Sequence, residues 1–325
     1  MKRSKVSLVL GAALACGLAT TLAIPASADP VPQARDIVGV GSDTSEYAVT
    51  NLADGVVVGG TFRAGYNAAA SARLVSFNAT GSSTVVLKAG TAAITRPNGS
   101  GAGKNALYSP SNPNVNFARS SSTLTSSEIS AGLRQVPFAV DGLKLATATT
   151  SNAPATITPA QMVQIYSGAV TNWNQLGGQN GTIVPLIPQV NSGTRAFFLA
   201  QLQAANGGAA VTLAGSVTEV QEHDAAPIAA SPNAVAPFST GRFASVTGIK
   251  LEGGFTAQRA LYNVVRAADL NAPWFSAIFG SDGYLCSGAA KAIIAASGFQ
   301  QLAHPFDDGV CGEPTQDATS NFATS

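Results

Sequence analysis

This chain is short of the side chains that metal and redox chemistry needs, with three cysteines and two histidines in 325 residues. No two cysteines stand as C-x-x-C, and His223 and His304 have no partners nearby, so the sequence offers no zinc ligand set; no metal and no cofactor is expected. Charge of one sign is missing too. Lys and Arg number 18 against 17 Asp and Glu, and Lys2, Arg3 and Lys5 stand at the very start, so the remainder is slightly acidic. Without a basic excess, nucleic acid is not an expected partner. Beyond the first 28 residues there is no apolar run long enough to span a bilayer.

The start has the three parts of a secretory signal: basic Lys2, Arg3 and Lys5, an apolar stretch from Val6 to Ile24, and Ala26-Ser27-Ala28 before Asp29. Cleavage is expected near Ala28, delivering the protein to the outside of the cell or to a periplasm-like space of the envelope. Cys16 raises lipid anchoring, but Ala13 stands where a lipoprotein signal has Leu; a freely released protein is expected. Only Cys286 and Cys311 then remain. An even pair in an exported chain most economically forms one disulfide.

From Asp36 onward, short apolar runs alternate with helix-like segments, the pattern of α/β domains with mainly parallel sheets. Strands are expected at Asp36 to Val40, Leu74 to Phe77, Thr84 to Leu87, Thr91 to Thr95 and Ile183 to Ile187. The long run Val136 to Thr147 reads as a strand leaving one domain for another, and Val235 to Phe238 as the return crossing. Thr125 to Glu128 is a capping box for a helix over Ser126 to Leu133. Thr158-Pro159 opens a helix that carries Met162, Ile165 and Tyr166 on its apolar face and stops at Gly168. Helices are also expected over Ala196 to Ala205 and around Ala289 to Ala296. The polar segment 315–325 is expected to fray as a flexible tail.

Chemistry concentrates in small-residue turns. Asn191-Ser192-Gly193-Thr194-Arg195 lies between a strand and a helix, where backbone N–H groups, two hydroxyls and the positive end of the helix dipole favour an anion. The same residues would equally serve an ordinary capped helix. A second such turn is Asn98 to Lys104. It imitates a Walker A loop, but Asn98 replaces the first Gly and Asn105 the terminal Ser or Thr; Gly39-x-Gly41-x-x-Thr44 likewise lacks the third Gly of a dinucleotide fingerprint. Ser100 and Ser192 lie in glycine-rich turns and His223 stands beside Asp224, which raises a secreted serine hydrolase. Neither serine fits the G-x-S-x-G elbow.

Taken in order, Gly-Ser-Asp-Thr-Ser (41–45), Gly-Ser-Gly-Ala-Gly (99–103), Asn-Phe-Ala-Arg-Ser-Ser (116–121), Val-Pro-Phe-Ala-Val-Asp-Gly (136–142), Ile-Tyr-Ser-Gly-x-x-Thr-Asn-Trp (165–173) and Ser-Gly-Thr-Arg (192–195) resemble the substrate-binding proteins of phosphate ABC transporters. The resemblance runs from about Asp36 to Phe238. It implies a class II-like periplasmic-binding-protein fold: two α/β lobes joined by two crossing hinge strands and closing over an anion. Lobe 1 is expected from 29–140 with 237–325, and lobe 2 from 141–236. Carried over residue by residue, the anion ligands fall at Asp43, Thr44, Ser100, Gly101, Ser120, Ser121, Ser192, Gly193 and Thr194.

Two positions depart from the family. Its carboxylate would fall at Ser121, and its arginine ahead of the Ser-Gly-Thr turn would fall near Pro188. Asp43 and Arg195 are the expected replacements, with Arg119 as another candidate cation or else an outward-facing strand residue. The implied function is that of a monomeric, non-catalytic receptor for inorganic phosphate or a related oxyanion, with ABC transporter permease subunits as partners. The alternatives are a secreted serine-dependent hydrolase and a surface or adhesive protein that binds no small ligand.

Overall fold

The computed structural model describes residues 29–325, so the expected export signal lies outside the described residues. The α/β alternation produces one ten-stranded sheet. Its main path runs Thr218–Val220, Val184–Pro188, Ala234–Ser239, Leu133–Ala148, Ala257–Arg266, Phe117–Ser120, Ile37–Gly41 and Leu74–Ser76. At each end the neighbours are parallel, and in the middle they are antiparallel. Ile37–Gly41 is buried at all five positions, as a parallel strand covered on both faces should be.

The 16-residue strand Leu133–Ala148 joins the two parallel ends. It pairs with Ala257–Arg266 from Leu133↔Arg266 to Leu143↔Ala257, and with Ala234–Ser239 from Leu143↔Ser239 to Thr147↔Val235. Its first half supplies Phe138 and Val140 to a core built around Val38, Leu52, Phe117, Leu261 and Ile293. Its second half supplies Leu143 and Leu145 to a core around Met162, Trp173, Phe198 and Val235, beside which a smaller cluster holds Ile228, Phe238 and Ile249. Two lobes with separate cores follow.

The chain returns to the first core on Ala257–Arg266, not on Val235 to Phe238. Ala257 packs against the second core, whereas Ala260 and Leu261 belong to the first. Strand Ala234–Ser239 stays with the second lobe, because Val235 and Phe238 both face its cores. Val235 to Phe238 is wholly apolar, whereas Gln258, Arg259 and Asn263 interrupt Ala257–Arg266, so hydropathy points to the core strand and not to the crossing one.

The expected caps set helix boundaries. Thr158 Oγ1 accepts from Gln161 N at 3.2 Å, Gln161 Oε1 accepts from Thr158 N at 2.8 Å, and Gly168 ends the helix Pro159–Ser167 in the left-handed region at φ 77°. The helix after Thr125 is shorter than expected, Ser126–Ser130, because Leu133 already begins the long strand. The last residues do not fray. Thr315 pairs with Gln135 and Thr324 with Leu302, Ala303 N donates to Ala323 O at 2.8 Å, and Phe322 packs against the first core. Cys286 and Cys311 form the disulfide, with Cα atoms 5.8 Å apart.

Candidate functional site

Three turns deliver hydroxyls to one buried point. The first follows strand Ile37–Gly41, where Gly41 has φ 115° and a Cβ would collide with Arg119 O and crowd the Cα of Gly103. It places Ser42 and Thr44 ahead of helix Glu46–Asp54. The second puts Ser100 at the start of helix Ser100–Tyr108, and the third puts Ser192, Gly193 and Thr194 at the start of helix Gly193–Ala205. Thr44 Oγ1 lies 3.2 Å from Ser121 Oγ and 3.4 Å from Thr194 Oγ1. Ser121 Oγ is in turn 3.2 Å from Ser42 Oγ and 3.4 Å from Ser100 Oγ, and Ser121 N donates to Ser100 Oγ at 3.0 Å. Thr44 and Ser121 come from the first lobe and Thr194 from the second. Gly193 lets the lobes touch, since any Cβ there would strike the hydroxyls of Ser100 and Ser121.

Four charged or ionisable side chains complete the cluster, none of them among the expected anion ligands and only His223 singled out in the sequence, as the histidine of a hydrolase. Arg259 Nη2 donates to Thr194 Oγ1 at 2.9 Å and to Thr44 Oγ1 at 3.4 Å. Its Nε and Nη2 form a forked pair with Asp141 Oδ2 at 3.0 and 2.8 Å. Arg259 and Asp141 stand opposite each other where the two crossing strands pass between the lobes. Glu222 Oε1 accepts from Thr44 Oγ1 at 3.2 Å and from Thr194 N at 3.0 Å. His223 Nε2 lies 3.0 Å from Thr44 Oγ1, and the ring packs edge-on against Phe238. Glu222 lies in the polar loop run Glu222-His223-Asp224, its only sequence signal; Arg259 had none, because it is one of several polar residues, with Gln258, Asn263 and Arg266, in its strand.

The remaining predicted residues have other partners. Asp43 faces Arg242, at 3.2 Å, and that guanidinium stacks on Tyr47 with its centre 4.0 Å from the ring. Ser120 Oγ donates to Ser122 O at 2.7 Å, within its own turn. Ser192 Oγ accepts from Arg195 N at 3.0 Å, so the ordinary N-cap role is real. Gly101 N donates to Asn191 O at 2.9 Å across the lobes. Arg195 turns its guanidinium to Glu219 at 2.6 Å and to Pro188 O at 3.0 Å, away from the hydroxyls. Arg119 is wholly buried and holds Ser42 O at 3.0 Å and Ser76 Oγ at 2.7 Å, which braces the first turn and excludes an outward strand-edge position. Lys104, the lysine of the Walker-like run, is tied to Glu128 and Thr123 O, both at 2.8 Å.

Burial dominates the electrostatics of the cluster. Burial pushes the Asp43 carboxyl up to about 7 in spite of Arg242, and the neighbouring Glu46 and Glu222 carboxylates add to the shift. Burial, then the Arg242 and Arg259 charges, hold His223 well below the usual histidine value, so its ring is neutral. A nucleophile–histidine–acid relay would need a carboxylate on the far ring nitrogen. His223 Nδ1 has no partner among the described residues, and Glu222 approaches the same Nε2 edge as Thr44, at 3.8 Å. Beside Arg259 and Ser121, a cleft of about 480 Å³ opens between the lobes, flanked by Phe197, Tyr262 and Phe322.

Residues 30–274 match the PBP superfamily domain, well over half of the chain. The chain belongs to the PBP superfamily. Among solved structures, this PBP superfamily member is similar to an ABC-type phosphate transport receptor from Vibrio cholerae, at 21% identity over 81% of this chain and 99% of that one, with a TM-score of 0.55. It is also similar to a putative phosphate ABC transporter substrate-binding protein from Clostridium perfringens, solved with bound phosphate, at 19% identity over 81% and 98% with a TM-score of 0.58. A phosphate-binding protein from Stenotrophomonas maltophilia is 15% identical over 85% and 92%, with a TM-score of 0.55. At these identities the likeness establishes the two-lobed α/β fold. No curated protein gives a significant match in sequence.

Proposed function

We propose that this PBP superfamily member is an exported, non-catalytic receptor that captures inorganic phosphate or a related oxyanion between its lobes. One observation carries the reading: the Thr44 hydroxyl lies within 3.4 Å of both the Ser121 hydroxyl of its own lobe and the Thr194 hydroxyl of the other, beside the Arg259 guanidinium. Hydroxyl, backbone N–H and guanidinium donors in a water-poor site suit a tetrahedral oxyanion, each charge-assisted bond contributing roughly 1.5–3 kcal/mol. The phosphate-binding descriptions of the solved proteins of like fold support the same ligand class. In this reading the ligands are Thr44, Ser100, Ser121, Gly193, Thr194 and Arg259, and the lobes divide where the crossing strands carry Asp141 and Arg259. Asp43 and Arg195 act at one remove, through Arg242 and Glu219. The protein works as a monomer outside the cytoplasm, after cleavage near Ala28, and passes its ligand to ABC transporter permease subunits.

The test is thermal unfolding of the chain from Asp29 onward against phosphate, sulfate, phosphonates and small carboxylates. A ligand at a hundred times its Kd should stabilise the fold by about 2.7 kcal/mol. Phosphate is expected to raise the melting temperature, and no shift with any oxyanion would defeat the reading. Incubation with an aryl phosphate ester should release no phosphate.

A further inference from the structure

We propose that Glu222 is a tethered competitor for the oxyanion, a carboxylate of the chain itself that occupies the anion's donors and latches the lobes together when no ligand is bound. The idea rests in part on the receptor reading, which supplies the rival ligand. Glu222 Oε1 accepts from the Thr44 hydroxyl of the first lobe and from Thr194 N, among the first amides of helix Gly193–Ala205. Those are the groups with which a helix N-terminus and its flanking turns hold an anion. The Glu222 side chain is fully buried, and its Oε2 finds no partner among the described residues. A buried ionised oxygen without a partner carries a desolvation penalty, so the carboxylate holds the cradle less well than a ligand that satisfies all its oxygens.

The segment that carries Glu222 is itself strapped across the lobes. Asn98 of the first lobe donates to Gln221 Oε1 and accepts from Gln189 Nε2, both at 2.9 Å, while Gln189 Oε1 accepts from Glu222 N at 2.7 Å. The next residue, His223, is a non-glycine at φ 58° and places its ring on the same Thr44 hydroxyl. An entering anion must therefore displace Glu222. Its apparent affinity is reduced by the fraction of molecules in which Glu222 still sits in the cradle.

The experiment pairs calorimetric titration with inorganic phosphate and small-angle X-ray scattering of ligand-free protein, on wild type, Glu222→Gln and Glu222→Ala. Gln keeps the shape and removes the charge, which guards against a variant that fails to fold. If the cradle is free in about a tenth of wild-type molecules, Glu222→Gln should bind phosphate about tenfold more tightly. Ligand-free Glu222→Ala should show a larger radius of gyration as the lobes part. Equal or weaker phosphate binding by Glu222→Gln overturns the proposal, since a carboxylate that helps to bind the ligand would give that result. An unchanged radius of gyration in Glu222→Ala overturns the latch. If neither wild type nor variant binds phosphate, the receptor reading fails, and scattering alone decides the latch.

Discussion

At Gly193 the lobes come together only because there is no side chain, and the Ser100 and Ser121 hydroxyls occupy the space a Cβ would need. Gly193→Ala should hold the lobes apart and weaken oxyanion binding by tenfold or more, about 1.4 kcal/mol, in a calorimetric titration. Arg259 has a second task, neutralising buried Asp141, and removal of one partner of a buried pair destabilises by about 3–5 kcal/mol. Arg259→Gln is therefore expected to lower the urea midpoint as well as to abolish binding, and Arg259→Lys to recover stability more fully than affinity, since an ammonium lacks the fork. Asp43 offers a test by pH. With its carboxyl pushed up to about 7, the folded protein keeps a proton that the unfolded chain releases above pH 4, so the contribution is present in acid and lost as pH rises through about 7. Neutral His223 acts in the opposite sense, withdrawing stability as pH falls below its unfolded value. In urea unfolding from pH 4 to 8, wild type should lose stability relative to Asp43→Asn over that rise; parallel curves would rule the shift out.

On the scale of helices and strands, the caps were the most legible features. Thr158, Gln161, Pro159 and Gly168 encode their helix locally, and no distant contact is needed to place its ends. Ser192 shows where local reading stops. Its hydroxyl caps Arg195 N, which the sequence allowed, while the point its helix aims at depends on Thr44 and Ser121 arriving from another lobe. Ser192→Ala should cost about 1 kcal/mol of stability by chemical denaturation, the usual loss for an N-cap, and reduce anion affinity far less than Gly193→Ala. The return crossing was misplaced for a plain reason: Val235 to Phe238 is the more apolar run, while polar residues interrupt Ala257–Arg266, and only pairing with Leu133–Ala148 tells which one leaves the lobe.

For the molecule as a whole, the two parallel ends of one sheet hang on a shared antiparallel centre, and the receptor reading makes the two crossing strands the place where the lobes would hinge. The first lobe is closed by the chain's end. Cys286 and Cys311 join across 25 positions, and the last residues pair with Gln135 and Leu302. A Cys286→Ser/Cys311→Ser double variant should lose about 3 kcal/mol in denaturant, with added reductant making no further difference. Deleting 315–325 should destabilise the first lobe too, because it strips Phe322 from the core and takes away the backbone partners of Gln135, Gln301 O and Ala303 N.

The α/β class, the capped helices, the disulfide partners and three glycine- and hydroxyl-rich turns were written in the sequence, since each depends on residues close together in the chain or on a simple count. Tertiary structure alone decided which charges face those turns. Arg259, Asp141, Glu222 and His223 reach one point from strands and loops far apart in sequence, and a polar side chain in a strand gives no sign of what it meets until the strand has a neighbour. Asp43 and Arg195 looked equally suitable by composition; packing turned them to Arg242 and Glu219, one pair buried and the other near the surface, because a charge settles on the opposite charge the fold brings nearest.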